Sequence, residues 1–310
     1  MISEIRKTWK ISASDINFLQ KEMKLPEEIQ DFVSNNNESE LALIGCRADS
    51  PDNSYDCCEY DIAVLGGNIK NNNFDRKIIQ LGNITLEFLN FPDQKGLNDI
   101  SIFNMIKLNE SNNLVSEYPK LDRKKLFIAA GKRRIVDSLF NVSRNSNTKA
   151  ELNASLNLKI AAYCLIEGIL LMSEIRPMPI HELNQLRQVE IHKDFVKEAI
   201  QTCIECLGIE RAARTIINRS HKALQEILKD TYDVELLSSK IQFLLDKGLL
   251  ADCYYYIVKL VCSHLEKKDN ASQMNYHKLN SIALDLTNDY EKVKKMSALI
   301  KRDCKLVLKN

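Results

Sequence analysis

Glycine and proline are scarce in this chain, 9 and 6 of 310 residues, and neither recurs with a period, which excludes a collagen-like architecture. Long apolar runs are missing too. The longest, Ile160 to Met172, spans about 13 residues and contains Glu167, short of the roughly 20 that cross a bilayer, so no membrane association is expected. The opening residues Met1-Ile2-Ser3-Glu4 show no basic stretch followed by an apolar one, so export is not expected and a cytoplasmic location is. Net charge is nearly absent: 43 Lys+Arg stand against 42 Asp+Glu, which argues against a dominant polyanion-binding surface. The nine cysteines are odd in number and follow no framework spacing, as expected of reduced thiols in a cytoplasmic chain. Cys203 and Cys206 form a lone CxxC that continues the helical series Phe195, Ala199, Cys203, Cys206, so they are expected in a core.

What is present is a composition ordinary for a folded protein, 45% hydrophobic and 27% charged, in a length that suits two domains. The charges are unevenly placed. Residues 1–115 carry about 11 basic and 18 acidic side chains, and residues 116–310 about 32 and 24. Strand and turn signals concentrate in the first part, while all five histidines lie after residue 180. The expected architecture is therefore α+β: an acidic unit with a small mixed sheet over 1–115, then a basic, all-helical bundle over 116–310.

In the first unit, Pro26 to Ser34 reads as a helix opened by proline. Leu41 to Gly45 reads as a buried strand and Tyr60 to Leu65 as a second. Ile78–Leu81 and Ile84–Leu89 flank Gly82-Asn83, a hairpin signal. From Lys120 the period becomes helical, with Leu121, Ile128, Ile135 and Leu139 on one face and Gly131 costing about 1 kcal/mol of propensity. Leu152 to Met172 is apolar nearly all round and reads as the buried central helix. Helices are expected near 181–188, 191–207, 209–229, 234–247, 250–267 and 275–308. The last carries a heptad seam from Leu279 to Val307, open to two readings: packing in its own bundle, or a homo-oligomer contact through the C-terminal helix.

Glu59 and Asp61 are two apart on an expected strand, so both carboxylates project from one face while Tyr60, Ile62 and Val64 face a core. Adjacent carboxylates repel, and a divalent cation resolves the repulsion; hard oxygen donors suit Mg2+ or Mn2+. Glu87, on the outer side of the hairpin strand, joins them if that strand lies beside Tyr60–Leu65. Three converging carboxylates could hold two ions, one activating a hydroxyl and one steadying a pyrophosphate. Taken alone, the acidic pair reads first as a solvent-facing pair on an edge strand.

Together, Ile44-Gly45-Cys46-Arg47-Ala48, a spacer of about 12 residues and Glu59-Tyr60-Asp61-Ile62 resemble the nucleotidyltransferase domain of the DNA polymerase β-like superfamily, over roughly residues 26–90. The resemblance implies metal ligands and catalytic carboxylates at Glu59, Asp61 and Glu87, and a nucleotide-binding turn at Gly45 and Cys46 with Arg47 beside it. It implies a nucleoside triphosphate as substrate, Mg2+ or Mn2+ as cofactor, and an acceptor hydroxyl on a small molecule, RNA or protein. Two positions depart from the pattern: Cys46 replaces a glycine or small hydroxyl residue, and Glu59 replaces aspartate. These departures are the argument for an alternative, a catalytically inactive binding protein of the same fold.

The basic run Lys120 to Arg134 holds seven cations against Asp122, with Lys132 and Arg133 as candidate nucleotide-phosphate contacts. The bundle also carries two Arg-x4–6-His sequences, Arg187 to His192 and Arg214 to His221, which resemble the signature of HEPN RNA-processing modules. Chance supplies roughly 0.6 such matches in a chain of this composition, so they rank third.

Overall fold

In the computed structural model the described residues are 25–35, 40–49, 51, 54–65, 76–91, 105–109, 122–144, 151–189, 193–268 and 277–309. The fold is α+β, a small mixed sheet followed by helices. The chain divides into two compact units, Met1–Leu121 and Asp122–Asn310.

The first described element of the first unit is α1 (Glu27–Asn35), preceded by Pro26. Then come β1 (Glu40–Ile44), a one-turn helix α2 (Cys46–Asp49), β2 (Tyr60–Leu65), β3 (Arg76–Leu81), β4 (Ile84–Phe91) and β5 (Ile106–Lys107). The sheet order is β3-β4-β2-β1-β5. All pairs are antiparallel except β2 and β4, which run parallel with Asp61 opposite Glu87. β5, two residues long, is too short to show a periodic signal in the sequence. One sheet face buries Leu41, Leu43, Ile62, Val64, Leu86 and Phe88 against Ile29 and Val33 of α1. The other face buries Ala42, Ile44, Ala63 and Leu65. Both faces of β1 are thus covered, which explains its unbroken apolar sequence.

The second unit contains α3 (Arg123–Arg144), α4 (Glu151–Met172), α5 (Glu182–Gln188), α6 (Asp194–Leu207) and a 3-10 turn (Ile209–Arg211). It continues with α7 (Arg214–Leu228), α8 (Val234–Asp246), α9 (Leu250–Glu266), α10 (His277–Leu284) and α11 (Tyr290–Lys309). Four expectations change. The helix expected near 209–229 splits at the extended Ala212-Ala213 into the 3-10 turn and α7. The continuous helix over 275–308 breaks between α10 and α11, where Asp285 adopts φ 47°. The inward face of α3 is Phe127, Gly131, Ile135, Ser138 and Val142, with Ile128 and Leu139 only partly covered. Gly131 is also more than a propensity cost. A Cβ there would stand 2.9 Å from the Gly168 carbonyl oxygen, and one on Gly168 would stand 3.0 Å from that of Gly131. The two glycines let α3 and α4 approach closely. α4 is the buried centre: its Asn153–Met172 segment has the length and hydropathy of a membrane-crossing helix, yet 89% of that window is buried in the bundle. The heptad residues Val293, Ile300, Cys304 and Val307 of α11 are buried within the unit, the first of the two readings of that seam.

α4 still carries charge inward. Glu167 pairs with Lys259 of α9 and with Arg134 of α3, while Lys259 also lies 3.3 Å from Glu182 of α5. Burial alone would raise Glu167, but Lys259 and Arg134 outweigh it and hold its carboxyl below the usual range. Glu182 is fully enclosed; burial pushes it up to about 7, against the pull of Lys259 and with the push of Glu167. The folded chain therefore keeps a proton that the unfolded chain has lost between pH 4.5 and 7. Stability from this group is full below that window and falls as pH rises through it. Wild-type thermal midpoints measured from pH 5 to pH 8 should drop more steeply than those of Glu182→Gln. Parallel curves would refute this assignment.

Candidate metal centre

β1 and β2 meet in antiparallel register with Ile44 opposite Asp61, so the residue after the strand end, Gly45, lies beside the Asp61 side chain. Gly45 adopts φ 81°, and a Cβ built on it would fall 1.9 Å from Asp61 Oδ2. Only glycine fits, both by backbone conformation and by space. The chain then turns into α2, with the amides of Ala48 and Asp49 donating to the Gly45 carbonyl at 3.1 and 2.9 Å.

Alternation along β2 puts Asp61 on the face of Ala63 and Leu65, away from α1. Glu59 precedes the strand rather than lying in it, since β2 begins at Tyr60. The parallel register with β4 brings in Glu87, and one oxygen from each of Glu59, Asp61 and Glu87 lies within 4.8 Å of the others. Glu59 and Asp61 are partly exposed, and Glu87 is buried. An all-oxygen, all-anionic donor set at this spacing, against a glycine whose missing Cβ leaves Asp61 its room, fits a hard divalent cation.

Glu87 is not without a counter-charge. Arg76 of β3 donates from Nε to Glu87 Oε1, with 37% of the arginine side chain exposed and 10% of the glutamate. Sequence reading missed Arg76, although the signal existed: the Gly82-Asn83 turn fixes Ile78 opposite Glu87, which makes Arg76 a diagonal, same-face neighbour. The cluster thus brings together three carboxylates, of which Glu87 also meets a cation at the solvent edge.

Cys46 is buried, and its thiol is held protonated by the adjacent Cys58 side chain, by burial, and by the charges of Asp61 and Glu59. Arg47 is held by backbone carbonyls and an aromatic ring. Its guanidinium donates to the Cys58 carbonyl at 2.7 and 3.2 Å and to that of Tyr55 at 3.5 Å, and stacks 4.1 Å from the Tyr60 ring centre. It therefore clamps the segment that delivers Glu59 into the cluster.

In the helical unit, Lys132 and Arg133 are exposed on α3. Arg134, the next residue in the basic run, instead turns inward to Glu167 and Glu266. Arg187 is bidentate to the buried Asp252 at 2.8 and 2.9 Å, and His192 lies outside the described residues. Arg214 donates to the Leu245 carbonyl at 3.0 Å, and His221, which burial makes less basic, meets the Ser238 hydroxyl at 3.1 Å. Each described member of the two Arg–His pairs has a partner other than its fellow. Searches against protein-family models, curated proteins and solved structures return no match to this chain.

Proposed function

We propose that the N-terminal unit binds a divalent cation and a nucleoside triphosphate, and transfers a nucleoside monophosphate to an acceptor hydroxyl with release of pyrophosphate. The observation that carries this reading is the parallel pairing of β2 with β4, which brings Glu87 to Glu59 and Asp61 beside Gly45. Glu59 and Asp61 would hold Mg2+ or Mn2+, and Glu87 would complete the set on leaving Arg76. The ion, when bound, supplies charge neutralisation at the phosphates and lowers the pKa of an attacking hydroxyl. The protein's own contribution is positional. Gly45 fixes the Asp61 carboxylate, Arg47 fixes the Glu59 segment, and a carboxylate of the cluster accepts the acceptor's proton. Arg76, at the solvent edge, carries a guanidinium matched to phosphate oxygens.

The test uses the full chain with α-labelled nucleoside triphosphates and Mg2+ or Mn2+. Label should pass to an acceptor or to the protein itself, and Asp61→Asn should lower the rate at least about a thousandfold. Binding of Mn2+, read by electron paramagnetic resonance, should weaken in Asp61→Asn and tighten in Arg76→Gln, since the latter removes a competing positive charge beside Glu87. Transfer that survives Asp61→Asn overturns the assignment. The Arg76–Glu87 pair also favours a second reading, a binding protein of this fold without transferase chemistry. It is the reading that remains if Mn2+ binds through Asp61 while no triphosphate is consumed.

A further inference from the structure

The helical unit holds a cavity of about 70 Å³ where α4, the end of α6, the 3-10 turn and the start of α11 come together. We propose that it is a binding site for a small oxyanion of phosphate or sulfate size, independent of the carboxylate cluster in the other unit. It is lined by Lys159 of the central helix α4, only 3% exposed. The ammonium donates to the Leu207 carbonyl at 2.7 Å and reaches that of Cys206 at 3.5 Å, the open C-terminal carbonyls of α6. Those contacts use at most two of its three protons. No carboxylate of the described residues stands within ion-pair distance of Lys159, so a nearly buried cation is left without a counter-ion. Burial pulls its pKa down to about 8, and an anion beside it would relieve that cost.

The rim repeats the sign. Arg211 and Lys292 line the opening, together with the carboxylates of Glu205 and Asp285. Asp285 is already engaged by Arg211 at 2.6 Å and by Arg219 at 3.5 Å, so two guanidinium groups share one carboxylate. The lining itself holds Lys159, Arg211 and Lys292 against Glu205 and Asp285, a surplus of one positive charge. Lys292 makes no ion pair with a described residue. A hydroxyl completes the lining: Ser155 accepts from the Thr287 amide at 3.2 Å through its oxygen, which leaves its own proton to donate. The volume holds a tetrahedral oxyanion and is several times smaller than the roughly 300 Å³ at which pockets for larger organic ligands begin, so a whole nucleotide is excluded.

A purely structural alternative is that Lys159 serves only to cap α6, and the test separates the two. The full chain is titrated with inorganic phosphate by isothermal calorimetry at fixed ionic strength. Saturable binding of one equivalent is expected, weakened at least about tenfold in Lys292→Glu. Lys294→Glu, the same charge change two residues along α11 and outside the cavity lining, should leave the affinity within about twofold. Lys159→Gln should abolish binding, and because that variant removes a buried cap, the two exposed lysine variants decide the matter if it does not fold. Absence of saturable binding, or equal weakening by Lys292→Glu and Lys294→Glu, overturns the proposal.

Discussion

Gly45→Ala should abolish Mn2+ binding at the carboxylate cluster and destabilise the N-terminal unit by about 2–5 kcal/mol. Two costs combine. A side chain at φ 81° is strained by itself, and the added carbon would lie 1.9, 2.8 and 3.0 Å from Asp61 Oδ2, Cγ and Cβ. A rotamer change can move the carboxylate, but contact with the Asp61 Cβ means β2 must also shift. Since β2 is the central strand linking β1 to β4, the shift reaches Glu87 through the Asp61–Glu87 pairing. Hydrogen exchange of residues 40–44 and 60–65 should accelerate, with little change in the helices of the other unit. An alanine variant that keeps wild-type exchange and Mn2+ affinity would show that Asp61 is not held by this contact.

Lys259→Met should cost the helical unit about 3–5 kcal/mol at pH 8, a fall in Tm of about 10 °C for a unit of this size. Lys259 is 3% exposed and is the only cation among the described residues in ion-pair distance of Glu182, which is fully buried. Methionine fills the volume of the stem but leaves Glu182 as an uncompensated charge. Glu167 suffers less, because Arg134 remains beside it. The loss should shrink at pH 5, where Glu182 takes up a proton. The double variant Lys259→Met/Glu182→Gln should recover most of the stability, because an apolar group then faces a neutral amide. A loss below about 1 kcal/mol, or no recovery in the double variant, would mean that the pair is dispensable. Chemical denaturation followed by circular dichroism reads both.

Local signals account for much of this protein. Alternation along Tyr60-Asp61-Ile62 set Asp61 on the face opposite Tyr60 and Ile62, because a strand's side-chain period is two whatever its neighbours are. Gly82-Asn83 between apolar runs specified the hairpin, and with it the register that pairs Ile78 with Glu87. The apolar girth of Leu152–Met172 marked the central helix. Pattern alone was silent about the breaks: Asp285 ends α10 without a glycine or proline to announce it.

Sequence by itself determined the strands β1 to β4, the sidedness of β2 and the hairpin turn at Gly82-Asn83, all properties of neighbouring residues. Only the tertiary structure decided that β4 runs parallel to β2, that Arg76 meets Glu87, that Arg47 clamps the Glu59 segment, and that Arg134 and Lys159 turn inward while Lys132 and Arg133 do not. Those outcomes depend on which distant segment supplies a partner. A charged side chain's fate follows from the desolvation and pairing it finds there, not from the charges beside it in the chain.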